Sequence, residues 1–446
     1  MTGDMKQGPR EASPIKNSCG RPVGTRLMLM VTAVILGGAG ILDSVNPGVT
    51  AINPLIIASI IALSFWGVHF FLVIRKIPGD EYLLPLSTFL ISLGWLEIFR
   101  LRPDDGIRQL YWILAGEALL VLWLVLVRDY RALEDYKYLF LVGAVLLQGA
   151  VAIFGHEVNG ARLWFNFGFF SIQPVEFVKI FLTIFLVSYL KQNRSMLEKP
   201  LTGKGAGLLR YYIPLFVLWG VAESVLIIQR DLGMALLLFG VFMGLMYIIT
   251  RQGSLIALGF SMAAVSSVVF YNLFGHVRVR INNWWNPWAS PEGWGYQIVQ
   301  SLYALANGGI LGAGLGRGEP YYIPAVHTDY IFVALCEELG LVGGFIIIGV
   351  FLVLAERMFR ISLGAKDEFS TLLASGLAIL FSTQVFIIIA GSVKMIPLTG
   401  ITLPFVSYGG SSLVSNFLML GLLMQISAGS HDAGKPEVVG GEGEQS

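Results

Sequence analysis

The residues best suited to chemistry lie where the chain passes from a polar stretch into an apolar one. His327-Thr328-Asp329 leads directly into a long apolar segment. Asp329 has two interpretations: it caps the N-terminus of a helix, or it is a working acid or base whose pKa is raised by partial desolvation. Glu337 and Glu338 follow two turns deeper. An unpaired carboxylate is costly there, so we expect at least one to face the protein interior or a wet cavity.

A second group of charges surrounds the apolar segment that begins near residue 174. Glu176 and Lys179 are spaced i,i+3, so they share a helix face and can pair inside a bundle. A structural ion pair and a path for protons or substrate are both consistent with this spacing. Arg162 is a cation just before the segment, whereas Glu117 and Glu223 are lone carboxylates in other apolar segments, with no partner identifiable from the sequence.

Glycine and tryptophan dominate the longest polar stretch, residues 275–328. The glycines of residues 308–318 match neither G-x-G-x-x-G nor a Walker pattern, which argues against a nucleotide site. An anion cradle with Arg317 beside it remains open. The aromatic residues predict an interfacial belt: Trp284, Trp285, Trp288 and Trp294. Further on, Lys394 precedes a Pro- and Gly-broken apolar segment, which at membrane depth must be buried in protein or line a cavity.

Composition identifies the solvent that these residues face. The chain is 55% hydrophobic and only 13% charged, against roughly 25% charged in soluble domains. Its surface therefore carries too little charge for water, and lipid is the expected solvent. A net charge of +1 gives no reason to expect nucleic acid. Cys19 and Cys336 make no disulfide framework, and no His, Cys, Asp or Glu cluster has metal-ligand spacing.

Apolar segments of the length that spans a bilayer, ~20 residues, predict an all-α polytopic membrane protein. Twelve are predicted: 27–42, 52–74, 82–98, 110–127, 137–154, 174–190, 211–228, 231–249, 254–274, 329–356, 370–391 and 408–427. An even number places both ends of the chain on one side. Residues 1–26 are expected to form a basic cytoplasmic tail, and residues 429–446 a disordered cytoplasmic one.

Charge distribution orients this bundle in the cytoplasmic membrane. With the N-terminus inside, the inner segments hold most of the 30 Lys and Arg residues, and 191–210 is the clearest inner loop. The loop carrying Arg100, Arg102 and Arg108 is the exception. Both termini are then cytoplasmic, and the two longest connections, 155–173 and 275–328, lie outside. Long loops concentrate function, so the chemistry is expected to face outward.

Several blocks occur in the same order as in a known family: NGARLWF, FSIQPVEFVK, QRDLG, NPWASPEGWGYQIVQSLYAL, GGILGAGLG, HTDYIF, EELG and IPLTGITLPFVSYGGSS. Over residues 80–428 the chain closely resembles the SEDS family of peptidoglycan polymerases, and in particular its actinobacterial and clostridial branch. The resemblance implies a transmembrane domain over 27–428 in which a ten-helix core follows two additional N-terminal helices, at 27–80. One departure is Tyr321, which stands where some members have a glutamate; Glu319 is near enough to replace it.

The resemblance also implies the reaction. A peptidoglycan glycosyltransferase joins lipid II units on the outer membrane face, for division, elongation or sporulation, and the motifs do not distinguish these. Asp329 matches the family's catalytic aspartate. Pyrophosphate is a good leaving group, so one base can suffice, with cations or a bound divalent ion stabilising the developing charge. No other cofactor is expected. The substrate-binding residues assigned on this basis are Arg162, Arg278, Arg280, Arg317, Lys394, Glu338, Glu176 and Lys179.

The resemblance further implies a partner, a single-span transpeptidase of the class B penicillin-binding type, beside lipid II and membrane lipids. Two other functions remain open from the residues alone. A lipid II flippase would use the intramembrane charges Glu117, Glu176, Lys179 and Glu223 as a polar path. A scaffold would need only surfaces for its partners. Loss of Asp329 would inactivate a polymerase, whereas a flippase would depend more on Glu176 or Lys179.

Overall fold

The computed structural model describes residues 21–45, 52–158, 161–168, 170–197 and 206–431. The N-terminal tail expected for 1–26 lies outside these residues as far as position 20, and positions 22–26 already belong to the first helix. The C-terminal tail expected from 429 begins later, because the last helix continues to His431, and 432–446 lie outside the described residues.

Long helices form nearly the whole molecule. In lipid the backbone N–H and C=O groups of an apolar run find no water to bond with, so they pair with one another within a helix. The first half contains α1 (Pro22–Val45), α2 (Pro54–Ile74), α3 (Leu83–Leu101), α4 (Pro103–Leu126), α5 (Lys137–Phe154), α6 (Val175–Gln192) and the single turn α7 (Arg194–Leu197). The second half contains α8 (Ala206–Ile228), α9 (Leu232–Thr250), α10 (Gly253–Leu273), α11 (Gly275–Trp285), α12 (Tyr296–Gly308), α13 (Ile331–Gly364), α14 (Glu368–Ser392) and α15 (Gly410–His431).

A helix lies at each of the twelve predicted positions. Among the described residues, ten helices are long and apolar enough to cross a membrane. Of the other two, α6 carries Glu176, Lys179 and Lys191 in its 18 residues, and the apolar part described for α8 is the shorter Ile213–Ile228. The all-α polytopic class is therefore confirmed, and twelve crossings stay a prediction.

Neither long connection is an open loop. The first contains three short antiparallel strands in the order β1 (His156–Val158), β2 (Ala161–Asn166) and β3 (Ser171–Ile172). The second contains α11 and α12, together with 3-10 turns at Pro287–Ala289 and Pro320–Tyr322. Local apolar patterns in both connections are too short to reveal these elements in the sequence.

The glycine run after α12 pairs with a break in α13. At Gly340 the helix leaves helical geometry, with φ 71° and ψ −174°. The freed carbonyls of Glu337 and Glu338 accept from the N–H groups of Ala313 and Gly314, both at 2.9 Å. In return, Leu341 N–H donates to the Gly309 carbonyl at 3.0 Å, and Val342 N–H donates to that of Ile310 at 3.2 Å. The loop thus replaces the hydrogen bonds that the break removes from the helix.

The broken segment between α14 and α15 lies inside the bundle, as expected for non-helical backbone at membrane depth. Ile401, Leu403, Phe405 and Val406 are all buried. Its closest approach is to α3, where the Val406 carbonyl lies directly over Gly94, so that a Cβ on this glycine would overlap the carbonyl oxygen. Helices approach as closely elsewhere, because Gly116 of α4 packs on the ring of Phe417 from α15.

Gly94→Ala should therefore lower the melting temperature in detergent, since overpacking of this kind typically costs ~1–3 kcal/mol and a backbone carbonyl cannot rotate away. Gly67→Ala is the matched control, because a Cβ at Gly67 of α2 meets no atom within 4 Å. Within a helix, alanine is favoured over glycine by ~1 kcal/mol, so the control should melt at the same temperature or higher. Equal melting of the two variants would contradict the packing described for Gly94.

Candidate functional site

Asp329 stands just outside α13 and its side chain caps nothing. The N-cap position belongs to Tyr330, which makes no side-chain capping bond. The capping interpretation of Asp329 is therefore wrong. The carboxylate is half-buried, and burial raises its pKa to about 6, against the opposing effects of a hydrogen bond from Thr328 and of the Arg280 charge. A group with this pKa is ionised at neutral pH and is more basic than an ordinary aspartate.

The backbone that carries Asp329 is held by the broken segment before α15. Ser407 Oγ donates to the carbonyl of Thr328 at 2.5 Å, and Tyr408 N–H donates to the carbonyl of His327 at 2.9 Å. Ser407 is in turn fixed, because its hydroxyl accepts from Leu403 N–H at 2.9 Å. The motif near the C-terminus therefore places the preceding residues of the HTD sequence, and through them the carboxylate.

Arg280 of α11 is the predicted cation whose charge acts on Asp329. Its guanidinium donates to the carbonyl of Thr399 at 2.9 Å and to that of Leu398 at 3.3 Å. Its charge acts on Asp329 and also on Asp231. Arg280 thus links α11, the broken segment and two buried or half-buried carboxylates at one end of the bundle.

Asp231 is a site residue that sequence reasoning missed. It caps α9, where its Oδ1 accepts from Met234 N–H at 3.1 Å. Burial raises the pKa of Asp231 to about 6 despite that hydrogen bond. The next glycine, Gly233, packs so closely on Thr399 that a Cβ would lie 2.7 Å from its carbonyl oxygen. The QRDLG block carried the signal, but nothing in the sequence placed it against residue 399.

The predicted pair of α6 is present and buried. Lys179 Nζ lies 2.5 Å from Glu176 Oε2, and it also donates to Gln384 Oε1 of α14 at 3.1 Å. Gln384 Nε2 then donates to the Thr402 carbonyl at 2.8 Å. The pair therefore connects α6 and α14 to the broken segment, three residues from the carbonyl that Arg280 contacts.

The other predicted cations do not converge on Asp329. Arg162 lies on β2 with its side chain 52% exposed and pairs with Glu157 at 3.3 Å. Arg278 donates to the Tyr271 and Asn272 carbonyls, at 3.4 and 3.1 Å, at the C-terminal end of α10.

Arg317 and Lys394 also lie apart from the carboxylate. Arg317 is exposed, in the glycine run. Lys394 adopts the left-handed conformation at the end of α14, with φ 65°. Its carbonyl accepts from Trp284 Nε1 at 3.1 Å, so this residue joins the tryptophan cluster to the end of α14.

Glu338 belongs to a separate buried cluster. It pairs with Arg100 of α3, which also contacts Glu97 at 3.4 Å. Its second oxygen accepts from Gly316 N–H at 3.1 Å. The glycine run therefore binds a carboxylate of this chain, and the amides of Ala313 and Gly314 are bonded to α13. These contacts use backbone amides that an anion cradle, which the sequence left open, would need. Within the described residues, no group of three or more His, Cys, Asp and Glu side chains could hold a metal ion.

Comparison with known proteins connects this geometry to a family. The family model described as a cell cycle protein, FtsW/RodA/SpoVE, matches residues 100–432. A peptidoglycan glycosyltransferase RodA from Mycobacterium leprae is 39% identical over 84% of this chain and 83% of its own length. The protein of the same name from Mycobacterium tuberculosis is 38% identical over 79% of this chain and 78% of its own length.

Solved structures agree with the sequence relatives. One, from work on the structural coordination of polymerization and crosslinking by a peptidoglycan synthase complex, superposes with a TM-score of 0.66 at 28% identity. The match covers 80% of this chain and 99% of that one. With a family match spanning most of the sequence, close relatives and a shared fold, the chain belongs to the FtsW/RodA/SpoVE family, the SEDS proteins.

Proposed function

We propose that this protein is a peptidoglycan glycosyltransferase that polymerises lipid II into β-1,4 glycan strands at the outer face of the cytoplasmic membrane. The observation that carries the proposal is the half-buried Asp329, with a pKa of about 6 and the Arg280 charge acting on it. The names of the mycobacterial relatives support the activity.

The reaction requires one general base and stabilisation of the negative charge on the leaving pyrophosphate. Asp329 takes the proton from the 4-hydroxyl of the acceptor GlcNAc as that oxygen attacks C1 of the donor MurNAc. The bond from C1 to the pyrophosphate breaks, and the lipid pyrophosphate leaves with the electron pair. A base whose pKa lies near the working pH is the efficient choice for such a transfer. No nucleotide is needed, because the donor carries its own activation.

The cations have different parts in this proposal. Arg280 is rigidly held by two carbonyls, which suits a fixed charge facing the leaving group. Arg162 is exposed on the strands, so it is free to meet a pyrophosphate brought in by the bilayer. The other proposed substrate contacts, with less structural support than Arg280 and Arg162, are Arg278, Arg317 and Lys394. A divalent cation would then be held mainly by the substrate's own phosphates, as Mg²⁺ commonly is.

The buried charges act differently from the exposed ones. Glu176 and Lys179 are both almost inaccessible, and a closed pair of this kind favours positioning over direct contact with a sugar. Through Gln384 they hold the Thr402 carbonyl, and thus the segment that Arg280 and Asp329 share. Their proposed link to substrate binding is therefore indirect.

Asp329→Asn should abolish polymerisation by purified protein given lipid II in detergent, with glycan strands scored on a gel. Asparagine keeps the size of the side chain and removes its basicity, so the expected loss is ~10²–10⁴-fold. Glu292→Gln is the matched control, because it neutralises an exposed carboxylate in the same outer connection. Melting temperature and yield should be unchanged in both variants.

Wild-type polymerisation by Asp329→Asn would remove Asp329 as the base. Asp231 would then be the next candidate, since its burial gives a similar pKa. No polymer from the parent protein, with folded material and intact lipid II, would instead contradict the proposed activity.

The outward orientation can be tested with reporter tags. Tags near residue 200 and after residue 431 should report the cytoplasm, because most of the chain's Lys and Arg residues lie on that side in the predicted orientation. A tag in the exposed turn at residues 291–293 should report the outside. A cytoplasmic signal from the last of these would place Asp329 and Arg280 away from lipid II on the outer face.

A class B penicillin-binding protein is the proposed partner, in keeping with the synthase complex to which the fold is similar. When co-expressed and extracted together, the two should co-purify, and the partner should raise the rate of polymerisation. An unrelated single-span membrane protein serves as the control for non-specific retention. A polymerase that works at its full rate alone and never retains the transpeptidase would contradict this pairing.

A further inference from the structure

A charged cluster lies at the ends of α3 and α13, and the reaction proposed above leaves it without a role. The side chains of Glu97 and Glu338 are 0% exposed and that of Arg100 is 8% exposed. Glu337 is buried beside them. Removing this many charged groups from water costs free energy unless the groups are paired. Packing alone therefore does not explain the arrangement.

These charges hold one short stretch of backbone. Arg100 donates to the Gly318 carbonyl and pairs with Glu338. Glu338 Oε2 accepts from Gly316 N–H, and Glu337 Oε1 accepts from Glu319 N–H, both at 3.1 Å. Residues 316–319 are therefore held by three charged side chains. The planar guanidinium suits this task, because it can bond in several directions at once.

Residues 318–329 lead from this cluster to Asp329, and we propose that Arg100 is a positioning residue that anchors the start of this segment and so sets the place of the catalytic carboxylate. The inference rests on the proposed function. Arg100 itself contacts neither Asp329 nor, in this proposal, the substrate.

The segment between these two anchored ends is itself held by packing and by a hydrogen bond. Ile323 and Val326 are buried in a small apolar cluster with Tyr330 and Val333. Gln297 of α12 donates to the Pro324 carbonyl at 2.8 Å. The far end is held by Ser407 and Tyr408, as described above. Close-packed interiors transmit displacements, so a shift at Gly318 is passed along the segment to Asp329.

The charge balance of the cluster explains why arginine is required. Arg100 pairs with two carboxyl groups, those of Glu97 and Glu338. Glu97 Oε2 and the neighbouring Glu337 Oε2 have no hydrogen-bond partner. Removal of Arg100 leaves uncompensated carboxylates in a dry site, which draws in water and releases residues 316–319. Lysine restores the charge only as a single point and cannot make the same set of bonds.

Arg100→Lys should lower kcat by ~10²-fold, the effect that a displacement of about 1 Å can have, with less than a threefold change in KM for lipid II. The acidic limb of the kcat profile should also move. In the parent it should lie near pH 6, the pKa of Asp329. In the variant it should move toward ~4, the value for solvated aspartate. Arg280, whose charge acts on Asp329, and Tyr330, on which the Asp329 charge acts, are unchanged in this variant.

Two further variants separate positioning from simple loss of stability. Glu338→Gln removes the partner of Arg100 and should shift the acidic limb in the same direction. Arg357→Lys weakens a comparable buried pair near the opposite end of α13, where Arg357 Nε donates to Asp80 Oδ2 at 2.7 Å. It should lower the melting temperature and leave the acidic limb near pH 6.

A labelling experiment gives a readout that needs no activity. With Cys19 and Cys336 replaced by serine, a Val326→Cys probe should resist a water-soluble maleimide, because Val326 is buried. The probe should become reactive when combined with Arg100→Lys, and stay protected when combined with Arg357→Lys.

Unchanged protection and an unchanged acidic limb in both Arg100→Lys and Glu338→Gln would overturn the inference. Absence of polymer from the parent would overturn the proposed function instead, and the labelling result would still decide whether Arg100 anchors the segment.

Discussion

The rest of the structure depends on one constraint, the need to pair every backbone polar group where no water is available. The break of α13 at Gly340 frees two carbonyls and two N–H groups, and the glycine run after α12 supplies a partner for each. Gly312 and Gly340 approach so closely that a Cβ on either would overlap the other's backbone. The connection between α12 and α13 is thereby fastened to the helix bundle, and the segment leading to Asp329 starts from a fixed point.

The same constraint sorts the charges into two kinds. Several of those inside the bundle are paired with one another, as Lys179 is with Glu176 and Arg100 with Glu338. Asp329 and Arg280 lie at the boundary, and the structure records no ion pair between them. An internal pair can hold backbone in place but is too well satisfied to exchange protons with a substrate. In the proposed reaction, Asp329 and Arg280 remain available to the substrate, and the internal ion pairs hold the backbone that positions them.

Local patterns in the sequence account for the helices and for part of the site. The apolar runs predicted the twelve long helices but not the shorter α7, α11 and α12. The i,i+3 spacing of Glu176 and Lys179 indicated that they could pair, as they do. The sequence did not reveal the ion pair of Arg100, because its partner, Glu338, lies more than two hundred positions away. Arg100 stood out only as a charge that opposed the predicted orientation. Separation along the chain also hid the partners of the glycine run: the sequence left an anion cradle open there, and several of its N–H groups bond to α13 instead.

Three aspartates that precede apolar helices show why sequence alone could not choose between a cap and a base. Asp367 caps α14, and hydrogen bonds from Ser370 and Arg131 outweigh the effect of burial and lower its pKa. Asp231 also caps its helix but is more deeply buried, and its pKa rises to about 6. Asp329 has no helix to cap, because Tyr330 intervenes before α13 begins. Relieved of capping and partly withdrawn from water, the Asp329 carboxylate has the lone pairs that the proposed base would use, and a single intervening residue creates that difference.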